Sequence, residues 1–218
     1  MSFKRARSDV QIQKRIEEII NATSFIYNSV GYEKLSFNSI SKYTNFTRPT
    51  IYKYFKTKDE ILLKILTEDI LLWVNTLTNS FKLNKIYSID EVSDIWVESI
   101  SQNFRLLKLQ SILFTTIEKN VRLESLTEFK KNIRKCEDTL FKLLTQLYPS
   151  AKSDDIENFI VSQLTFALGL YPMCNLNQLQ IDAIKELGGN FPKHDFKKIY
   201  KSCIYKLLYC LENKIYEL

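Results

Sequence analysis

Residues that make turns are so scarce in this chain that their scarcity decides its class. In 218 residues, glycine stands only at 31, 169, 188 and 189, and proline only at 49, 149, 172 and 192. A β-sandwich of this length would need a turn about every 8–12 residues, and turns draw heavily on these two residue types. The spacing therefore predicts long helices with few connections, an all-α fold. Hydrophobic residues are 45% and charged residues 26% of the chain, which supplies a core and excludes wholesale disorder. No run approaches the roughly 18 uninterrupted apolar residues of a membrane span. The N-terminal Lys4, Arg5 and Arg7 lead into Asp9 and Gln11 rather than an apolar segment. We therefore expect no membrane partner, no signal peptide and a cytoplasmic address.

Charge is unevenly placed. Residues 1–60 hold 11 Lys and Arg against 6 Asp and Glu, whereas residues 61–218 hold 20 against 19. From Lys34 to Lys58 there are six basic residues and no acid. A basic head on a nearly neutral body suits a nucleic-acid reader, although a solvated basic surface fits the charge alone equally well. The four cysteines, 136, 174, 203 and 210, show no metal-binding spacing. Cys203 and Cys210 lie two turns apart and are expected to point into one core.

Hydrophobic periodicity divides the head. A helix over 8–30 is predicted from Ile12, Ile16, Ile19, Tyr27 and Val30, with a capping box at Ser8 and Gln11 and Gly31 ending it. Ser36 caps a short helix over 37–43, Thr44-Asn45-Phe46 turns, and Thr47 caps a second short helix to about Phe55, with Pro49 tolerated in its first turn. Thr57 and Glu60 form another capping box that opens a helix to about Phe81. Two short helices joined by a tight turn make a helix-turn-helix. Phe37, Ile40, Phe46, Ile51 and Phe55 lock it, leaving Arg48, Pro49, Thr50, Tyr52, Lys53 and Tyr54 outward. Further helices are expected near 89–103, 104–119, 122–148, 153–171, 177–187 and 194–216. Breaks fall at Pro149, at the Gly169-Leu-Tyr-Pro172 corner and at Gly188-Gly189. Helices 153–171 and 194–216 carry more apolar surface than one partner layer hides, which predicts subunit association.

Residues 8–60 resemble the N-terminal DNA-binding domain of the TetR family of transcriptional regulators. The carriers are Ile19-Ile20-Asn21-Ala22, Gly31-Tyr32-Glu33-Lys34-Leu35-Ser36, Ile40-Ser41-Lys42, and the run from Phe46 through Thr50-Ile51-Tyr52-Lys53-Tyr54-Phe55 to Leu62. Phe46 and Thr47 stand where Val and Ser are usual, Tyr43 replaces Ala, and Pro49 replaces a small residue, which bears on the base read. Residues 115–175, through Ile117-Glu118-Lys119-Asn120-Val121, Leu126–Lys130 and Gly169–Met173, are similar to a C-terminal domain of regulators from low-GC Gram-positive bacteria. The resemblance implies a three-helix DNA-binding domain over 1–57 and a helical ligand-binding and dimerisation domain over 58–218. It implies a homodimer on double-stranded operator DNA, most often a repressor released from an inverted repeat by a small apolar or amphipathic effector.

Carried residue by residue, the resemblance assigns phosphates to Ser36, Thr47, Tyr52, Tyr54 and Lys58, and base edges to Arg48, Pro49, Thr50 and Lys53. Packing beneath the fourth helix is the other reading of Tyr54. Lys4, Arg5 and Arg7 read as a solvated tail or as a minor-groove arm. Trp73, Trp96, Phe104, Phe114, Phe129, Phe166, Tyr171 and Met173 are candidate pocket walls, each also readable as plain core. Catalysis is not expected. His194 is the only histidine, no Gly-rich phosphate loop exists, and neither cofactor nor metal is anticipated. A helical dimeric module that binds protein or small molecules without DNA is the competing class, and salt dependence separates the two.

Overall fold

The computed structural model describes residues 2–82, 84–188, 194–213 and 215. Every regular element among them is helical: α1 (Ser2–Val30), α2 (Phe37–Lys42), α3 (Arg48–Tyr54), α4 (Lys58–Asn79), α5 (Ile89–Ser101), α6 (Phe104–Gln110), α7 (Leu123–Leu147), α8 (Ser153–Cys174), α9 (Gln178–Glu186) and α10 (Phe196–Asn213). Gly31 and Gly188 take positive φ of 77° and 65° at the ends of α1 and α9, where a side chain would strain the backbone. Gly189 and the side chains of Lys4, Arg5 and Arg7 lie outside the described residues.

Several local expectations change. Helix α1 begins at Ser2, so Ser8 lies inside it rather than at its N-terminus. The predicted helix over 104–119 stops at Gln110 and gives way to a π turn over Leu113–Ile117 and a 3₁₀ turn over Glu118–Asn120. The Ile112 carbonyl accepts from both Thr116 and Ile117 N–H, at 3.0 and 3.1 Å. The β-branched run Thr115-Thr116-Ile117 crowds a regular α turn at this point. Helix α8 runs through Pro172 to Cys174 instead of breaking at the Gly-Leu-Tyr-Pro corner. Only its final turn loses a hydrogen bond there, and that turn is held by buried Leu170 and by Tyr171 against Phe104, ring centres 5.6 Å apart.

The chain forms two compact units. Met1–Asp69 joins Ile112–Asn132 in the first, and Ile70–Ser111 joins Ile133–Leu218 in the second, so α4 and α7 each belong to both. In the first unit α1 packs on α2 and α2 on α3, around Ile19, Tyr27, Leu35, Ile40, Ile51, Ile61 and Leu62, all at most 2% exposed. In the second unit α10 packs on α5 and α8, and α6 on α8. Its centre is aromatic: Trp73 meets Trp96 edge-on at 6.4 Å, and Trp96 meets Phe159 at 5.0 Å. The Gln163 side-chain carbonyl sits in this centre and accepts from Trp96 Nε1 at 3.1 Å and from the Tyr200 hydroxyl at 2.6 Å. The buried stripe of α10 is Phe196, Tyr200, Ile204, Leu208 and Leu211. Cys203 and Cys210 stand beside it, free and half-buried rather than inside the core.

Candidate nucleic-acid interface

The helix-turn-helix is fixed from below by apolar contacts and at its turn by polar ones. Ile40 and Ile51 are fully buried and Phe37 nearly so, which sets α2 against α3. Within the turn, the Thr44 hydroxyl donates to the Ile40 carbonyl at 3.2 Å. The Asn45 N–H donates to a Glu18 carboxylate oxygen of α1 at 3.0 Å. Half-buried Phe46 fills the corner. At the start of α2, Ser36 and Ser39 form a reciprocal capping box, with the Ser39 N–H on the Ser36 hydroxyl at 3.1 Å and the Ser36 N–H on the Ser39 hydroxyl at 2.9 Å.

Helix α3 presents Arg48, Pro49 and Lys53 to solvent. Tyr52 is 44% exposed while its ring edge rests on Phe37, centres 4.6 Å apart. Packing thus fixes the ring and leaves its rim outward. Thr47 is the N-cap by position but makes no side-chain cap bond. Its hydroxyl shares a 3.0 Å hydrogen bond with that of Thr50 instead. Beside this surface a groove of about 450 Å³ is lined by Ser36, Asn38, Arg48, Tyr52, Lys56 and Lys58, among others.

Two further expected contact residues are tied to elements outside the helix-turn-helix. The Tyr54 hydroxyl, half-buried, accepts from Arg15 at 3.3 Å. The Lys58 ammonium donates to the Tyr32 and Leu35 carbonyls at 2.9 and 3.1 Å and lies 3.8 Å over the Tyr32 ring. It thereby ties α4 to the connection between α1 and α2. The Tyr32 hydroxyl in turn donates to Asp59 at 2.9 Å. Burial, followed by that carboxylate, pushes the Tyr32 phenol up. Burial also raises the Asp59 carboxyl against the lowering effect of Tyr32. The structure therefore brings Ser36, Thr47, Arg48, Pro49, Tyr52 and Lys53 together on one exposed surface, with Thr50, Tyr54 and Lys58 half-buried at its edge.

Asn38 and Lys56, which line the groove, are absent from the residues singled out by sequence. The Lys56 ammonium closes the C-terminus of α3 by donating to the Tyr52 carbonyl at 2.9 Å. In the sequence Glu60 stands out only as half of a capping box. Its capping role is only partly as expected: its N–H donates to the Thr57 hydroxyl at 3.1 Å, but its carboxylate accepts from Lys56 N–H at 2.7 Å rather than from Thr57. The Glu60 side chain is 2% exposed. Arg122 grips it through Nε at 2.5 Å and a second guanidinium nitrogen at 3.1 Å. The Thr57 hydroxyl donates to the Asn120 carbonyl at 2.8 Å in the same corner. Burial drives the Glu60 carboxyl up, yet Arg122 and the backbone N–H groups outweigh it and leave it below the usual value. Only the three-residue spacing from Thr57 to Glu60 was legible, because its strongest partner lies 62 residues along the chain.

Of the eight candidate pocket residues, six lie in the second unit and two in the first. Trp73 and Trp96 are buried in the core of the second unit. Phe104 touches Tyr171 and Phe196. Phe166 stacks on Tyr200 at 6.5 Å but is 38% exposed, and Met173 is 57% exposed. Phe114 and Phe129 belong to the first unit, one exposed and one buried.

This arrangement is that of a helix-turn-helix protein whose second short helix offers cations, hydroxyls and phenols outward. Residues 19–65 match the family model for bacterial regulatory proteins of the tetR family, and residues 67–209 match that for the tetracyclin repressor-like C-terminal domain. The chain belongs to the TetR family of transcriptional regulators, DNA-binding proteins that dimerise. Solved structures agree on the fold. The fatty acid degradation regulator FadR from Bacillus halodurans superposes with a TM-score of 0.58 at 17% identity, over 89% of this chain and 94% of that one. FadR from Bacillus subtilis, solved in complex with stearoyl-CoA, gives 0.58 at 16% identity over 88% and 96%. PfmR from Thermus thermophilus gives 0.55 at 11% over 88% and 97%. A search of curated proteins returns no significant match. Among the described residues no single helix is long and apolar enough to cross a membrane.

Proposed function

We propose that this protein is a repressor that reads an inverted-repeat operator as a homodimer and releases it when a small apolar or amphipathic effector occupies the C-terminal domain, 58–218. The observation that carries the DNA-binding half is the exposed face of α3, where Arg48, Pro49, Tyr52 and Lys53 face solvent within a segment that has no acid from Lys34 to Lys58. Arg48, Pro49, Thr50 and Lys53 meet base edges: a guanidinium suits the two acceptors of guanine, and the proline ring or threonine methyl suits the methyl of thymine. Ser36, Thr47 and Tyr52 meet phosphates. Tyr54 joins them through its hydroxyl proton, since its oxygen accepts from Arg15. Lys58 joins them through the one N–H left after its two carbonyl bonds.

Dimerisation runs through the helices near 153–171 and 194–216. Val161 on α8, at 65% exposure, and Tyr205 and Tyr209 on α10, at 41% and 47%, support that face. For the effector, the pocket candidates of the second unit (Trp73, Trp96, Phe104, Phe166, Tyr171 and Met173) are the assigned contacts. The stearoyl-CoA complex of the Bacillus subtilis protein supports an amphipathic ligand. Release requires the effector to bind the two conformations with different affinity.

The test is selection of fragments from a random duplex-DNA pool at low and near-physiological salt, with an Arg48→Ala/Lys53→Ala variant in parallel. The expected product is an inverted repeat recovered by the wild type alone, with affinity falling steeply as salt rises. Recovery of no motif, or equal recovery by the variant, refutes the assignment of α3 as the reader.

A further inference from the structure

We infer that the second unit carries a superficial binding site for a soluble, single-chain anionic amphiphile, such as a fatty-acid anion, in the groove between the end of α4 and the last turns of α7. The groove encloses about 590 Å³ and shares no residue with the pocket candidates discussed above. It does not depend on DNA binding.

Charge complementarity selects the occupant's head group. Three lysines line the groove, Lys82, Lys85 and Lys142, and no carboxylate does. Lys85 is already neutralised by Glu91, at 2.9 Å. The ammonium groups of Lys82 and Lys142, both on exposed residues, have no acidic partner among the described residues. Two uncompensated positive charges therefore face one concavity. The hydroxyls that share it cannot help to hold an anion. The Thr78 hydroxyl donates to the Val74 and Asn75 carbonyls, and that of Thr139 to the Lys135 carbonyl. Their protons are committed to their own helices, so the lysine ammoniums, with the side-chain amides of Asn84 and Gln146 that also line the groove, supply the donors.

The apolar half of the occupant follows from the remaining walls. Leu143 is buried and Phe81 and Leu147 are half-buried, whereas Ile86 is 95% exposed at the lip. One exposed isoleucine is ordinary. An exposed isoleucine beside three other apolar groups and two unpaired ammoniums makes an apolar trough with a cationic rim, the shape that an alkyl carboxylate matches.

The wall is also braced before anything binds. The Lys82 N–H donates to the Tyr87 hydroxyl at 2.7 Å, and the Phe81 and Tyr87 rings meet edge-on at 5.2 Å. Asn84 turns the chain with φ of 61°, a conformation asparagine tolerates better than most residues. Less ordering entropy is then lost on binding than a loose loop would require.

Titration calorimetry on the full chain tests this, with dodecanoate below its micelle threshold as ligand and dodecanol and dodecyltrimethylammonium as comparators. Dodecanoate should bind, more weakly as salt rises, and the two comparators should bind at least about tenfold more weakly. Lys82→Glu/Lys142→Glu should weaken dodecanoate roughly tenfold or more and leave dodecanol unchanged. Ile86→Asp, at a position with no packing to lose, should weaken dodecanoate as well. Equal binding of dodecanol, or unchanged dodecanoate binding in the double lysine variant, overturns the site. Co-sedimentation with phosphatidylglycerol vesicles without binding of free dodecanoate overturns it too, and would assign the patch to a lipid surface. Because no operator is involved, failure here leaves the reading of α3 intact, and failure of the DNA selection leaves this site intact.

Discussion

Replacing Gln163 by methionine isolates the polar centre of the second unit. Methionine has nearly the same length and no strong acceptor, so the change removes the carbonyl oxygen that serves both Trp96 Nε1–H and the Tyr200 hydroxyl. Trp96 and Tyr200 are 0% exposed and Gln163 is 1% exposed, so water cannot replace the lost acceptor without opening the core. Each orphaned buried donor costs about 1–3 kcal/mol, which puts the loss near 4 kcal/mol, a large part of a typical stability of about 5–15 kcal/mol. For a chain of this size that corresponds to roughly 8–16 °C in Tm.

Tyr200→Phe alone should cost only about 1 kcal/mol, the net worth of one hydrogen bond, because Gln163 keeps its bond from Trp96. The double variant decides the matter. With one orphan removed, Gln163→Met/Tyr200→Phe should be more stable than Gln163→Met by about 1–2 kcal/mol. The chain's two tryptophans, Trp73 and Trp96, both lie in this unit. Tryptophan fluorescence in a denaturant titration at fixed protomer concentration therefore reads it directly. Additive losses, or a double variant less stable than Gln163→Met, would refute the shared-acceptor argument.

Four further outcomes are expected. The Glu60 carboxyl is held below its unfolded value, so its contribution is full above about pH 4.3 and is lost as pH falls through the lower folded value. Glu60→Gln should therefore be less stable than wild type at neutral pH and lose less on acidification below pH ~4; parallel acid titrations of the two proteins would exclude this. Lys53→Met should weaken operator binding by about 1–3 kcal/mol and relax specificity at one base position without changing stability. Lys58→Met should reduce the salt slope of operator binding by about 1 and also lower the stability of the first unit by about 1–2 kcal/mol; a stability-neutral Lys58→Met contradicts the inward geometry. Val161→Glu/Tyr209→Glu should yield a monomer in sedimentation and weaken operator binding; an unchanged dimer mass would move the interface off α8 and α10.

Much of the helical layout could be read directly. Helices α5, α7 and α9 begin and end within two residues of expectation because periodicity and punctuation agree there, as with the turn at Gly188. The exposed face of α3 was legible because outward Tyr52 and Lys53 contradict any core pattern. What escaped has no local signature. The inward turn of Lys58 depends on two carbonyls more than 20 residues upstream. Gln163 looks like any polar residue on an amphipathic helix until Trp96 and Tyr200 converge on it. The π turn at Leu113–Ile117 breaks a segment whose hydrophobic period alone continues. Which aromatic residues are plain core was not legible, because aromatic residues spaced for a helix face are equally well spaced for a core.

The grip of Arg122 on Glu60 bears on how such regulators can be recombined. A chimera that joins residues 1–66 of this chain to the body of a distant relative would carry over a buried carboxylate and leave its guanidinium behind. It would also strip the Thr57 hydroxyl of its acceptor at Asn120. A burial cost that Arg122 offsets here would fall on the transplanted head, next to the end of α3. Grafting of DNA specificity should therefore succeed when residues 112–132 travel with the head. Over evolutionary time, substitutions at 60 and 122 should be tolerated together more readily than singly.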